Sequence, residues 1–167
     1  RSDPKKIDHE ACLPREVVSG IKDLGLMGMQ TPMEYGGLDL DTMSYARIMQ
    51  ELATYDNSVA VFVGGHQSIG MKALLLFGTE EQRTKYLPKL ASGEHIAAFA
   101  LTEATAGSDV QGMKTRAVMN EDGSYTLNGS KMWITNGGLA DLITVFAKLK
   151  CIKNGEEKER ITAFIVE

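Results

Sequence analysis

The spacing of apolar residues changes once along this chain, just after Gly93, and that change limits the fold more than any other feature. Upstream the spacing is helical. Val17, Ile21, Leu24 and Gly28 recur at three to four residues, which predicts a helix there. Tyr45, Ile48, Met49 and Leu52 form one apolar stripe of a second helix. Asn57 to Phe77 is nearly all apolar, but Gly64-Gly65, His66-Gln67 and Lys72 interrupt it, which disfavours a membrane span and favours a helix buried among helices. Thr79 with Gln82 has the spacing of a capping box and opens a further helix to about Leu90. Downstream the pattern alternates. Ile96 to Leu101, Met113 to Met119, Leu142 to Lys148 and Arg160 to Val166 read as strands, Asn128-Gly129 reads as a hairpin turn, and "NGEE" reads as the turn between the last two strands. The expected class is α+β: an N-terminal helical domain over residues 1–94, then an antiparallel β-sheet or barrel domain, incomplete, over residues 95–167.

A net charge of -4, with Lys and Arg scattered, excludes nucleic acid as a main partner and gives no membrane-binding patch. Cys12 and Cys151 lie far apart without metal-ligand spacing, so they read as reduced thiols, and no metal is expected. The chain begins at Arg1 without Met and ends in the strand-like "ITAFIVE" with no closing element, which reads as a fragment.

Two stretches carry candidate chemistry. "AFALTEATAGSD", Ala98 to Asp109, runs from a small apolar strand into a loop with a hydroxyl at each end. Gly107 would let the backbone turn tightly and approach a ligand, with Ser108 adding a donor and Thr102 standing at the strand end. On spacing alone this suits an anionic, extended ligand, although loops with Gly and Ser are common. "KMWITNGG" holds the single Trp, Trp133, two residues before Thr135. In a strand both would point to one face, where an aromatic and a hydroxyl could cover a flat ring. Read on its own, a core Trp with a capping Thr is the simpler account. His66 and Gln67 read as a hydrogen-bonded polar pair in a core, with an acyl-tunnel lining as the alternative. The nine Met residues read as core filling. His9 and His95 read as surface or loop residues, and "KNGEEKER" as a solvated hairpin tip.

Longer stretches identify a family. "LGLMGMQTPMEYGGLDL", "GTEEQRTKYLPKLASGEHIAAFALTE", "AFALTEATAGSDVQGMKTRA", "YTLNGSKMWITNGGLAD" and "ITVFAK" together resemble the acyl-CoA dehydrogenase family. "GGHQSIG" and "YLPKLASGE" look most like its very-long-chain branch in mitochondrial β-oxidation. The resemblance implies a flavoprotein that binds FAD and an acyl-CoA thioester and makes the trans-2-enoyl-CoA. It implies that Phe99, Ala100, Leu101, Thr102, Gly107 and Ser108 lie along the flavin, with Thr102 bonding the isoalloxazine and Ser108 shared with the substrate. It implies that Trp133, Ile134 and Thr135 cover another region of the ring, the Thr135 hydroxyl near its reactive nitrogen. No catalytic base is expected in this chain: the family's base is a Glu in a C-terminal helical domain, and Glu103 reads as a structural partner or a solvent-facing residue. The fragment alone is therefore expected to be inactive. Ala104 replaces the Pro usual in the family, which loosens φ at the turn and bears on the loop's rigidity. Implied partners are acyl-CoA, electron-transfer flavoprotein and a second or further copy in a homodimer or homotetramer, in the mitochondrial matrix or at the inner membrane. The same resemblance admits two other roles, a respiratory-complex assembly factor and an acyl-CoA oxidase that passes electrons to oxygen.

Overall fold

A computed structural model describes residues 3–153 and 156–167. Among the described residues, six α-helices occupy the first half, with a 3-10 turn at Met33–Tyr35. α1 (Pro4–Glu10) starts at Asp3, whose carboxylate accepts from the Lys5 and Lys6 amides. α2 (Arg15–Asp23) stops short of the predicted Gly28, because the chain turns into a left-handed conformation at Gly25 (φ 71°). α3 (Thr42–Tyr55) is capped by Asp41. α4 (Asn57–Gly64), a π-helical stretch (Gly65–Met71) and α5 (Lys72–Phe77) follow one another. That run of 21 residues is long and apolar enough to cross a membrane, yet Val59, Ala60, Phe62, Val63, Met71 and Leu74 are buried inside the protein, as the interrupted apolar pattern predicts. α6 (Glu80–Ala91) opens with both bonds of the Thr79–Gln82 capping box.

Two apolar cores hold the helices together and to the sheet. One gathers Ile21, Met27, Met29, Val59, Phe62, Val63 and Ile96. The other joins Met71, Leu74, Leu87 and Leu90 to Ala97 and Leu142 of the sheet. Met27, Met29, Met71 and Met113 are fully buried and fill the core as expected, whereas Met33, Met43 and Met119 are exposed and do not. Burying a side chain of that size contributes roughly 1.5–3 kcal/mol. At Gly70 a Cβ would sit 2.8 Å from Ala97 Cβ and 2.9 Å from its carbonyl carbon, so β1 lies directly on the π-helical stretch.

The second half forms one five-stranded sheet: β1 (Ala97–Ala100), β2 (Arg116–Met119), β3 (Tyr125–Asn128), β4 (Leu142–Lys153) and β5 (Glu156–Val166). The α+β class stands, but the sheet is mixed rather than antiparallel. The long strand β4 is its spine. β1 pairs with its first part and β2 with its later part, both parallel, and β5 pairs along it antiparallel. The parallel β1–β4 pairing needs the long crossover Leu101–Asp141, which no local turn signal announces. Asn128-Gly129 is not a hairpin turn. The β2–β3 hairpin closes instead at Asn120 and Ser124, where the Asn120 amide donates to the Ser124 carbonyl at 2.8 Å. Gly129 is needed for a close approach: a Cβ there would fall 2.3 Å from Thr115 Oγ1. The predicted "NGEE" turn falls on Asn154-Gly155, outside the described residues.

Candidate functional site

β1 delivers the first corner. Ala98 and Ala100 are buried, while the half-buried Phe99 ring packs on Phe146 with centroids 4.8 Å apart. The chain then turns tightly at Glu103–Ala106, where each residue's amide donates to the other's carbonyl at 3.1 Å. That reciprocal pair closes the turn without a Pro at Ala104, so the loop's order rests on Glu103 and Ala106. Gly107 departs from expectation. Its φ is not in the left-handed region and a Cβ would meet nothing, so the turn does not need glycine; the space beside it is open. Ser108 is exposed, and Asp109 caps the short helical turn Val110–Gly112 that follows.

The second corner is not a strand. Trp133 adopts φ 59° and Asn136 φ 64°, so the alternation that would put Trp133 and Thr135 on one face does not apply. A left-handed bulky residue costs of order 1–2 kcal/mol and persists only where its surroundings hold it. Nor is Trp133 a core residue: it is 83% exposed. Two contacts fix this corner. The Met132 amide donates to the Thr102 carbonyl at 3.0 Å, joining it to the first corner. Asn136 Nδ2 donates to the Phe62 carbonyl at 3.0 Å, joining it to α4 beside the π-helical stretch. At Gly65 a Cβ would lie 2.6 Å from Thr135 Cγ2, so only glycine lets the helix seat so close to Thr135.

Beneath both corners lies a carboxylate, Glu103, 6% exposed. It accepts from the Lys114 amide at 2.6 Å, the Thr115 amide at 3.0 Å, the Thr115 hydroxyl, and Lys131 Nζ at 2.9 Å. Burial alone would raise its pKa, but these four donors outweigh it and hold the carboxyl at about 2. A group so fully engaged does not serve as a base, which agrees with its reading as a structural partner. Lys131 and Asn136 carry the connections between the corners, and sequence reasoning missed both. Each lies within the Trp stretch, but only the three-dimensional register reveals their partners.

His66 and Gln67 are the expected polar pair in the core. Gln67 Oε1 accepts from the Gln30 amide at 3.3 Å and Nε2 donates to the Leu26 carbonyl at 2.5 Å. His66 Nδ1 accepts from the Ala97 amide at 2.9 Å, and Nε2 lies 3.0 Å from the Leu90 carbonyl. Those partners fix the neutral ring with its proton on Nε2. Burial lowers its pKa to about 4 despite the Leu90 and Met27 carbonyls, which favour the charged form. His9 is exposed on α1 and His95 half-buried in a loop.

Two hollows flank the second corner. One, of about 440 Å³, is lined by Ala100, Lys131, Trp133, Ile134, Ile143 and Val145 among others. The other, of about 910 Å³, runs between α1, α4 and the Ile134–Leu139 turn and includes Thr135 and Asn136. A further hollow of about 380 Å³ at Gln111 and Lys158–Ile161 touches none of the predicted residues. The structure thus brings Ala100, Trp133 and Ile134 together, with Thr102 one backbone bond away and Leu101 held through its carbonyl by Lys131 Nζ at 2.9 Å. Gly107 and Ser108 stand outside these hollows on the exposed loop, and Phe99 turns to the sheet. Among the described residues, the hydroxyls of Thr102, Ser108 and Thr135 and the indole N–H have no partner within the protein. The arrangement offers hydrogen-bond donors and a flat aromatic beside apolar walls. It suits a ligand with a planar, acceptor-rich ring.

The family description "Acyl-CoA dehydrogenase, N-terminal domain" matches residues 2–94, and "Acyl-CoA dehydrogenase, middle domain" matches residues 98–167. The very long-chain specific acyl-CoA dehydrogenase, mitochondrial, of Rattus norvegicus is 50% identical over 169 residues, covering 99% of this chain and 26% of the relative. A probable acyl-CoA dehydrogenase of Bacillus subtilis is 48% identical over 146 residues, covering 87% of this chain and 23% of the relative. Among solved structures, the acyl-CoA dehydrogenase complexed with FAD from Bacillus anthracis superposes with a TM-score of 0.80 at 46% identity, over 90% of this chain and 24% of that one. The chain spans no more than 26% of the length of these proteins.

Proposed function

Because the chain belongs to the acyl-CoA dehydrogenase family, we propose that it forms part of an FAD-dependent enzyme that dehydrogenates long- or very-long-chain acyl-CoA between the α- and β-carbons. The observation that carries the reading is the second corner: a left-handed Trp133, 83% exposed, beside Thr135 and bonded through Met132 to Thr102. A strained, solvent-facing Trp flanked by hydroxyls that have no protein partner is what a planar cofactor would use. Those donors fit the carbonyls and nitrogens of an isoalloxazine, and Trp133 and Ile134 give it an apolar cover. The open space at Gly107 and the hydroxyl of Ser108 suit the flavin's extension toward the CoA side.

When bound, the flavin accepts a hydride from the β-carbon of the thioester. Every other task belongs to the chain. Thr102 and Thr135 donate hydroxyl hydrogens toward the ring and favour negative charge on it. Trp133, Ile134 and Ala100 exclude water from its face. Phe99 and Leu101 fix the strand that carries Thr102. Glu103, held ionised at about 2 by four donors, does not take the α-proton, and the family resemblance gives that task to a Glu of a C-terminal helical domain. We also read residues 1–94 and 95–167 as the helical and β domains. The rat relative supports a mitochondrial location and the very-long-chain preference, electron-transfer flavoprotein as the acceptor and a homodimer or homotetramer follow from the family resemblance, and the Bacillus relative stands almost as near.

Anaerobic titration of the whole protein with a long-chain acyl-CoA tests this. Flavin absorbance that bleaches with substrate and returns with electron-transfer flavoprotein is the expected result. Protein that stays colourless with added FAD refutes the reading, and substrate-driven oxygen uptake without the acceptor protein would mark an oxidase instead.

A further inference from the structure

Residues 131 and 132 hold three consecutive residues of the first corner. Lys131 Nζ donates to the Leu101 carbonyl and to Glu103 Oε1, both at 2.9 Å, and the Met132 amide donates to the Thr102 carbonyl at 3.0 Å. Thr102 is therefore bracketed on both sides by one lysine, and Trp133 follows that lysine by two positions. The side chains of Lys131 and Glu103 are only 11% and 6% exposed. Glu103 is anchored in turn by the Lys114 and Thr115 amides and the Thr115 hydroxyl, at the entry to β2. The network thus ties three segments that no regular strand pairing joins.

Stability alone is a poor reason for such a pair, because replacing a buried ion pair with packed apolar groups is often neutral or stabilising. What this pair does supply is registry: two corners, some thirty residues apart in sequence, are locked at one separation. We propose that Lys131 and Glu103 are positioning residues, which set the Thr102 hydroxyl relative to Trp133 and Thr135 so that both corners engage one flavin ring together. In this role they act through the backbone of Leu101, Thr102 and Met132. This inference rests on the flavin reading above.

The test uses the whole protein and the variants Lys131→Met and Glu103→Gln. Met removes the charge and both Nζ bonds while keeping an unbranched side chain one atom shorter. Gln turns an amide N–H₂ toward donors that the carboxylate accepts. FAD affinity, the visible band of bound flavin and its midpoint potential are measured together with thermal melting. Both variants should bind FAD about 10-fold more weakly, the lower end of what losing an orienting partner costs at metal sites, and should move the band and the potential. Variants that melt lower yet keep affinity, band and potential mark a merely structural pair and overturn the proposal. If Lys131→Met does not fold, Glu103→Gln and Thr115→Val, which removes a single hydroxyl bond, decide on the same three readouts, and unchanged values overturn it. Wild-type protein that never binds FAD overturns the flavin reading and this inference with it; wild-type that binds no better than the variants overturns this inference alone.

Discussion

Acidification should unlatch β1 from the helices through His66. The ring is fully buried, with Nδ1 accepting from the Ala97 amide and Nε2 donating to the Leu90 carbonyl. A proton on Nδ1 would face that amide and break the bond that seats the first residue of β1. The folded pKa of about 4 lies below the ordinary value of 6.5, so the unfolded chain binds this proton first as pH falls. Stability from His66 is therefore complete above about pH 6.5, declines below it, and is gone by about pH 4. Linkage over these two values gives a loss of about 2 kcal/mol between pH 7.5 and 5, and about 3 kcal/mol in full, at 1.36 kcal/mol per unit. The window above pH 5 largely separates this effect from Glu103, whose pKa is lowered from the ordinary 4.5 to about 2, so that it withdraws stability as pH falls between those two values. The assay is urea unfolding at pH 7.5 and 5.0, in wild type and in His66→Gln, which keeps a donor and an acceptor but does not titrate. Wild type should lose about 2 kcal/mol more than the variant across the interval. Equal losses in the two proteins would refute the reasoning.

Three further substitutions separate packing from ligand contact. Gly107→Ala should leave the melting temperature unchanged, since a Cβ there meets no protein atom, while weakening FAD binding measured by flavin fluorescence. Gly70→Ala gains up to about 1 kcal/mol of helix propensity but drives a Cβ into the Ala97 backbone, an overpacking cost of about 1–3 kcal/mol; urea denaturation should show net destabilisation. Asn136→Ala leaves the Phe62 carbonyl without its side-chain donor and frees a left-handed residue, so it should cost about 1–2 kcal/mol in urea unfolding and slow flavin reduction by substrate in stopped-flow measurements.

The helical half was legible because its signals are local. The Thr79–Gln82 box, the α3 stripe and the interrupted apolar run each depend on residues within a few turns. The sheet was legible in its strands and not in its pairing. β1 meets β4 across a crossover of about forty residues, and nothing near Ala97 or Leu142 encodes a parallel partner. The Trp motif misled for a related reason. "KMWIT" has strand-like residues, but Trp133 and Asn136 take positive φ because Thr102, Phe62 and Gly65 hold them from outside. Asn128-Gly129 resembled a turn, whereas the glycine is needed for the close approach of Thr115. The proposed site residues rest on the family resemblance; spacing alone gives Thr102 and Ser108 only a weak ligand signal. Lys131 and Asn136 gave no such signal, since their roles exist only once the corners are brought together.

The central claim is that these two corners grip one planar cofactor. A crystal structure of the whole protein grown with FAD tests it most directly. The isoalloxazine should lie within hydrogen-bond distance of the Thr102 and Thr135 hydroxyls with the Trp133 indole against it. An isoalloxazine bound elsewhere, with those three side chains still facing solvent, would contradict the account.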